Sequence, residues 1–297
     1  MESFLDITSA DLPETLYHYT SQQGLMGIVG NRSLWMTDIL YLNDAQEFGY
    51  ALSLLEKEIE PIWEDLDDFD NFKVIHAKKS HVTQEEIKNR YKDSCLFLEN
   101  IRQILRAFYK AGETSTYVFS MSKKKDSLSQ WRGYCNTGAG FCIGFDTAKL
   151  KEIVDEKNLS LFQCVYDMNL QTNLIREILL QSMEKLSTVE LNETVSEFLL
   201  KFMRIAPIMK DPSFQEEEEW RIVLHPPRTS IGELRFREGK SMLIPYIETT
   251  LQKQLICEIV IGPTPHEDLS RQSLKALMHS NGINCKLSKS DIPYRSW

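Results

Sequence analysis

The sequence lacks the features that mark membrane-spanning and disulfide-bonded secreted proteins. No apolar run approaches the length of a membrane span, and the acidic N-terminal stretch has no apolar signal region. The six cysteines contain no CxxC pair, and no histidine lies at zinc-finger spacing from them. These absences predict free thiols in a reducing, cytoplasmic environment and no association with a membrane.

Positive charge is also scarce. Lys and Arg number 34 against 43 Asp and Glu, which gives a net charge of -9. This balance argues against a broad basic surface for duplex DNA or an anionic membrane. The one compact basic cluster consists of Lys123, Lys124 and Lys125, and it is either a charged loop or a local contact for a phosphate backbone.

The chain has no internal repeat and no low-complexity linker, and 297 residues are enough for one large domain. A first strand is predicted around 16–19, followed by a helix capped by Thr20 or Ser21. Later strands are interspersed with helices without βαβ regularity, which predicts an α+β fold with a mixed sheet. We expect a single domain over 1–297 with helical insertions at about 55–112 and 170–207.

The densest negative charge lies in "SFQEEEEWRIVLH", residues 213–225, where it runs into a predicted strand. Side chains alternate between the two faces of a strand. The apolar set predicted to face the core consists of Trp220, Ile222 and Leu224. The set predicted on the opposite face consists of Glu217, Glu219, Arg221 and Val223. Two carboxylates and an arginine would then face one cleft.

Such a carboxylate pair admits three interpretations. It is a solvated acidic turn, a divalent-metal site, or a catalytic pair that offsets positive charge at an anomeric carbon. A metal site would need further ligands, which "YLNDAQEF" could supply. The residues alone leave these alternatives open.

Three separated segments together resemble the DUF2971 family. They are "LYHYTS" near the start, "FSMS" with "SQWRGYCNTGAGFCIGFD" in the middle, and a spacing toward the end formed by Phe214, Glu217, Glu219, Trp220 and Arg221. "YLNDAQEF" resembles a fourth segment of that family, and the similarity spans roughly 16–262 by motif order. The family is in turn similar to ADP-ribosyltransferases, with His18 on the first strand, Ser120 and Ser122 in the middle, and the Glu-x-Glu pair late in the chain.

The resemblance implies an ADP-ribosyltransferase-like split mixed β-sheet, NAD as co-substrate and no metal. It implies that Glu219 accepts the 2′-hydroxyl of the nicotinamide ribose and that Glu217 positions or deprotonates the nucleophile. His18 would contact the ribose and the nicotinamide. The further residues expected to contact NAD are Tyr19, Thr20, Ser120, Ser122, Trp131, Tyr134 and Arg221.

The same resemblance implies a macromolecular acceptor, either RNA/DNA or protein. It also suggests a toxin or phage-defence effector restrained by a neutralising antitoxin or chaperone partner. Two other functions stay open: a non-catalytic nucleotide-binding sensor module, and a metal-dependent nuclease. The nuclease would use the carboxylate and amide groups of Asn43, Asp44, Glu47, Glu217 and Glu219.

Overall fold

The computed structural model describes residues 12–42, 47–67, 83–112, 116–135, 140–225, 234–239, 241–251 and 255–293. The chain divides into two compact units. The first, called the sheet unit, comprises Met1–Tyr41, Ser115–Cys164 and Ser213–Trp297. The second, called the helical unit, comprises Leu42–Thr114 and Val165–Pro212. Both predicted helical insertions fall in the helical unit, and the single-domain organisation stays a prediction.

The described residues form ten strands and eight α-helices. The strands are β1 Thr15–Ser21, β2 Ser33–Asp38, β3 Tyr117–Ser122, β4 Gly140–Asp146, β5 Ser160–Gln163, β6 Glu219–Leu224, β7 Leu234–Glu238, β8 Leu243–Thr250, β9 Ile256–Ile261 and β10 Lys286–Lys289. The helices are α1 Gln22–Asn31, α2 Glu47–Asp67, α3 Gln84–Ala111, α4 Leu128–Tyr134, α5 Thr147–Glu156, α6 Met168–Lys185, α7 Leu191–Ile205 and α8 Glu267–Ser280.

All ten strands belong to one open sheet in the sheet unit. Its main path runs β10-β9-β4-β1-β3-β2-β8-β7, and β6 lies between β3 and β5. The β9–β10 pair is parallel, whereas the other pairs are antiparallel. The predicted α+β class with a mixed sheet is confirmed.

Local signals explain where several helices begin. The Ser21 hydroxyl accepts a hydrogen bond from the Gly24 N–H at 3.2 Å, so the predicted cap of α1 is confirmed. Helix α3 begins with a capping box, in which Thr83 and Glu86 each satisfy the other's backbone N–H.

Two features differ from the sequence reading. The helical stretch predicted at 170–207 is two helices, because α6 ends at Lys185 and α7 starts at Leu191. Helix α5 was not predicted, although Asp146 caps it by accepting a hydrogen bond from the Lys149 N–H at 3.2 Å.

Among the described helices, none is long and apolar enough to cross a membrane.

The apolar face of β6 packs into the core of the sheet unit as predicted. Trp220 and Ile222 are buried in the main cluster, and the partly buried Leu224 packs against it. In the helical unit, aromatic rings form much of the core. Phe198 meets Phe97 edge-on at 5.6 Å between ring centroids and stacks on Phe202 at 6.1 Å.

Candidate functional site

The sheet splits at β3. One edge of β3 pairs with β6 along its whole length, from Tyr117 to Ser122. On the other edge, the described pairs join β3 to β2 only at Tyr117 and Val118, and to β1 only at Ser122. The main chain around Ser120 therefore lies in a gap where β1 and β2 diverge.

His18 of β1 fills part of this gap. Its Nδ1 lies 2.8 Å from the carbonyl oxygen of Ser120, and its ring stacks on Phe119 with centroids 4.3 Å apart. Because a carbonyl only accepts, Nδ1 carries the proton in this bond. Burial, together with the charge of Arg237, lowers the pKa of His18 to about 4. The imidazole is therefore neutral at pH 7, and its Nε2 carries a lone pair that can accept a hydrogen bond.

A small cavity of about 30 Å³ opens at the split, within the sheet unit. Its lining is polar and aromatic, and it consists of Tyr17, His18, Tyr19, Ser120, Met121, Gln130, Tyr134, Glu217 and Glu219. A cavity of that volume holds about two water molecules. The structure thus brings together His18, Ser120 and both predicted glutamates.

Glu219 is held by a buried ion pair. Arg221 donates from Nε to Oε1 of Glu219 at 2.8 Å and from Nη2 to Oε2 at 3.0 Å. Only 1% of the Arg221 side chain and 5% of the Glu219 side chain are exposed. The two residues are neighbours on one face because strand side chains alternate. The guanidinium of Arg221, which is among the residues expected to contact NAD, donates to Glu219 in this structure.

The predicted register of Glu217 is wrong. Glu217 ends a 3₁₀ helix, Pro212–Glu217, and is not part of β6. Glu218 follows with a φ of 43°, a left-handed conformation, and its N–H donates to the Gln215 carbonyl at 3.2 Å. This turn breaks the alternation that would have placed Glu217 and Glu219 on one strand face. Both side chains nevertheless line the cavity.

Ser122 braces the turn before β6. Its hydroxyl donates to the Glu217 carbonyl at 2.6 Å and accepts from the Lys124 N–H at 2.9 Å. Ser122 is opposite Glu219 in the β3–β6 register. Through this hydrogen bond β3 holds the backbone of Glu217 in place.

Tyr19 and Trp131 are core residues. The Tyr19 hydroxyl donates to the Lys124 carbonyl at 2.8 Å and accepts from the Ser127 N–H at 3.0 Å. Trp131 is 1% exposed, meets Tyr19 edge-on at 4.7 Å, and donates from Nε1 to Asp126 at 2.6 Å. Burial raises the pKa of Tyr19. Trp131 does not line the cavity, and the role of both in contacting NAD stays a prediction.

Tyr134 and Thr20 are two further residues that were predicted to contact NAD. Tyr134 lines the cavity. Thr20 is buried, and its carbonyl accepts a weak hydrogen bond from the Cys135 thiol at 3.5 Å. Their predicted contacts with NAD are not tested by this arrangement.

Two lysines of the predicted basic cluster are neutralised. Lys124 lies 3.3 Å from a Glu218 carboxylate oxygen, and Lys125 lies 2.6 Å from Glu258. Lys123 is exposed. The cluster therefore presents less positive charge than the sequence suggests.

The described residues give the metal-nuclease alternative no ligand set. They include no group of three or more His, Cys, Asp or Glu that could hold a metal ion. Asn43 and Asp44 lie outside the described part of the chain. Glu47 lies in the helical unit, where its Oε1 is 3.5 Å from Nζ of Lys210.

Sequence reasoning missed Tyr17, Met121 and Gln130 as cavity residues. Gln130 directly precedes Trp131 in the family-like "SQWRGY", and this was the only signal that could have singled it out. The positions of Tyr17 and Met121 follow from the split, which no local pattern reveals.

Comparison with known protein families supports the predicted family over part of the chain. A family model described as a protein of unknown function, DUF2971, matches residues 130–222. This segment contains Gln130, Tyr134 and the late glutamates, and the family predicted from the motifs is confirmed. Searches of curated proteins and of solved structures gave no match to the chain.

Proposed function

We propose that this chain is an NAD-dependent ADP-ribosyltransferase that modifies a macromolecular acceptor. The observation that carries the proposal is the cavity at the split of the sheet, which is lined by His18, Ser120, Glu217 and Glu219. Neutral imidazole, hydroxyl and paired carboxylates suit the recognition of a ribose and the stabilisation of positive charge beside it.

NAD supplies a glycosidic bond between the ribose C1′ and nicotinamide, and nicotinamide leaves with the bonding electrons. Positive charge develops at C1′ as this bond breaks, and the negative charge of Glu219 would offset it. The bidentate contact with Arg221 holds that carboxylate in one orientation, which favours catalysis because no reorganisation is needed. A hydroxyl of the ribose would donate a hydrogen bond to the Glu219 carboxylate.

Glu217 is suited to the acceptor side of the reaction. The acceptor's oxygen or nitrogen forms the new bond to C1′ and loses a proton, which the Glu217 carboxylate would take as general base. Its backbone is fixed by the 2.6 Å hydrogen bond from Ser122. His18 would accept a hydrogen bond from a ribose hydroxyl at Nε2, because its Nδ1 already donates a hydrogen bond to the Ser120 carbonyl.

The size of the cavity limits how NAD can bind. Small-molecule sites usually measure about 300–1,000 Å³, whereas this cavity is about 30 Å³. It has room for hydroxyls or the edge of a carboxamide, but not for the whole dinucleotide. The rest of NAD would lie along the sheet face outside the cavity, or the cleft would widen on binding.

Nicotinamide release from NAD by the purified chain tests the proposal. We expect release that EDTA does not inhibit, and a fall of about 100-fold in Glu217→Gln, because a general base contributes about 10²–10⁴-fold. Glu216→Gln is the matched control, since Glu216 is exposed, precedes Glu217 and does not line the cavity. Equal rates in both variants would remove Glu217 from the mechanism.

Two other outcomes would overturn the transferase assignment. Stabilisation of the chain by NAD against heat, without nicotinamide release, would indicate the nucleotide-binding sensor module. Nucleic-acid cleavage that EDTA abolishes would indicate the nuclease. If nicotinamide is released, a mass increase on RNA or protein from cells that express the chain would identify the acceptor.

A further inference from the structure

The guanidinium of Arg237, on β7, has few hydrogen-bond partners among the described residues. Its Nη2 donates to the Thr37 hydroxyl at 3.3 Å, whereas its Nε is buried and has no hydrogen-bond partner. Within the described part of the chain it forms no ion pair. Arg235, two residues earlier on the same strand, forms an ion pair with Glu248. Strand β8 therefore provides a carboxylate partner for Arg235, whereas none of the described carboxylates pairs with Arg237.

The register places Arg237 on the face that leads to the split. Tyr246 of β8 pairs with Arg235 on one side and with Thr37 on the other, so these residues share a face. Arg237 shares that face because it is two residues from Arg235. Its guanidinium therefore reaches across β8 to Thr37 of β2.

Thr37 connects this position to the cavity. It pairs with Val118 of β3, and Ser120 is two residues further along on the same face. Neighbouring strands are about 4.8 Å apart and the strand rise is about 3.3 Å per residue, so the guanidinium lies within roughly 10 Å of Ser120. The positive charge of Arg237 also acts on His18, whose pKa it helps to lower.

Burial of a guanidinium without an anion is unfavourable. Desolvation lowers the pKa of Arg237, which is the signature of a charge removed from water. A phosphate would supply the missing acceptor, since guanidinium and phosphate oxygens form parallel, charge-assisted hydrogen bonds. Thr37 accepts from Arg237, so its hydroxyl proton remains available to the same anion.

We propose that Arg237, supported by Thr37, binds the phosphate portion of a ligand whose other end enters the cavity at His18 and Ser120. The naming of that portion as the pyrophosphate of NAD rests on the proposed function. The anion site itself rests on the buried, partnerless Nε of Arg237 and on its register beside the split.

Calorimetric binding of ADP-ribose and of nicotinamide riboside tests this assignment. ADP-ribose carries the pyrophosphate, and nicotinamide riboside carries no phosphate. We expect Arg237→Gln to weaken ADP-ribose binding by about 10- to 100-fold, because hydrogen bonds between charged groups are worth that much. The affinity for nicotinamide riboside should stay within about twofold.

Arg235→Gln is the matched control. This variant also removes a guanidinium from β7, but that guanidinium already forms an ion pair with Glu248. We expect it to change ADP-ribose binding by less than about threefold. Arg237→Lys should give an intermediate affinity, since it keeps the charge and loses the bidentate geometry. It also serves as the second variant if Arg237→Gln does not fold.

The outcomes separate this inference from the proposed function. If ADP-ribose binding is equal in the wild type, Arg237→Gln and Arg237→Lys, the anion site is wrong while the transferase proposal stands. If binding depends on Arg237 but NAD is not cleaved, the anion site stands and the transferase proposal fails. If the wild-type chain binds no ADP-ribose, the anion site is wrong.

Discussion

Each unit of the molecule contains a buried ion pair, and the two pairs differ in geometry. In the sheet unit, Arg221 and Glu219 make two hydrogen bonds of 2.8 and 3.0 Å. In the helical unit, Lys210 and Glu47 are joined at 3.5 Å between Nζ and Oε1. All four side chains are at most 5% exposed. Burial is therefore similar, whereas the guanidinium pair holds its carboxylate by two parallel hydrogen bonds.

The difference indicates what each pair does. A buried pair stabilises a fold weakly, because desolvation of both charges offsets most of their attraction. A bidentate pair adds orientation, and orientation has value where a carboxylate must face a ligand. Glu219 lines the cavity at the split, whereas neither Glu47 nor Lys210 does. The comparison assigns a positioning role to Arg221 that Lys210 does not share.

Removal of Arg221 should have the largest effect. Arg221→Met leaves the Glu219 charge buried without its guanidinium, so we expect a loss of about 3–5 kcal/mol in the free energy of unfolding. The double variant Glu219→Gln/Arg221→Met should recover most of that loss but should not release nicotinamide. Urea unfolding and nicotinamide release measure the two quantities. A double variant as unstable as the single one would show that packing, not charge, makes Arg221 necessary.

The corresponding change in the helical unit should have a smaller effect. A double-mutant cycle on Lys210→Met and Glu47→Gln should give a coupling energy of about 1–3 kcal/mol, because the distance between Nζ and Oε1 is 3.5 Å and the attraction is correspondingly weaker. Nicotinamide release should stay within about twofold in each variant that folds. A coupling as large as that of Arg221 and Glu219, or a large loss of release, would contradict the distinction between the two pairs.

The pH dependence of stability should be the smallest effect, and it resides in the sheet unit. His18, with a pKa of about 4 against an ordinary 6.5, contributes stability that is present above pH 6.5 and lost as pH falls toward 4. Burial raises the pKa of Asp38 from 3.8 to about 6. Asp38 therefore contributes stability that is present below pH 3.8 and lost as pH rises through 6. Between pH 4 and 6 the two contributions oppose each other.

Single variants should reveal each slope. In Asp38→Asn, stability should rise with pH between 4 and 6.5, by at most about 1.4 kcal/mol per pH unit. In His18→Asn, it should fall with rising pH between 3.8 and 6. Urea midpoints measured from pH 4 to 7 test both slopes. Identical pH profiles for the two variants and the wild type would mean that neither group is perturbed by burial.

Much of the fold was predictable because its signals are local. Alternating apolar residues predicted β6 and the face that it buries in the core. The sequence also predicted that Thr20 or Ser21 caps α1, and Ser21 does so. Helix α5 was missed although Asp146 stands at its start, because the helix follows the buried strand β4 directly, with no loop residue between Asp146 and Thr147. Glu217 was misplaced because a left-handed Glu218 interrupts the strand pattern, and non-glycine residues adopt that conformation rarely.

The candidate site was predictable only in part. The resemblance selected His18, Ser120 and the two glutamates, and the structure brings them to one cavity. It did not select Arg237, which meets Thr37 across 200 residues of sequence. It could not tell which charge would hold Glu219, since Arg221 had several candidate partners. These contacts depend on the order of strands in the sheet.

The sequence by itself determined the α+β class, the family and the inward face of β6, because alternation and capping are properties of a few neighbouring residues. The tertiary structure alone decided that β1 and β2 diverge along β3, that Glu219 is clamped by Arg221, and that Arg237 lies on the face beside the split. The physical reason is that strand order and register are set by burial of apolar surface between distant segments. That burial fixes which polar groups meet, and no local pattern of residues encodes it.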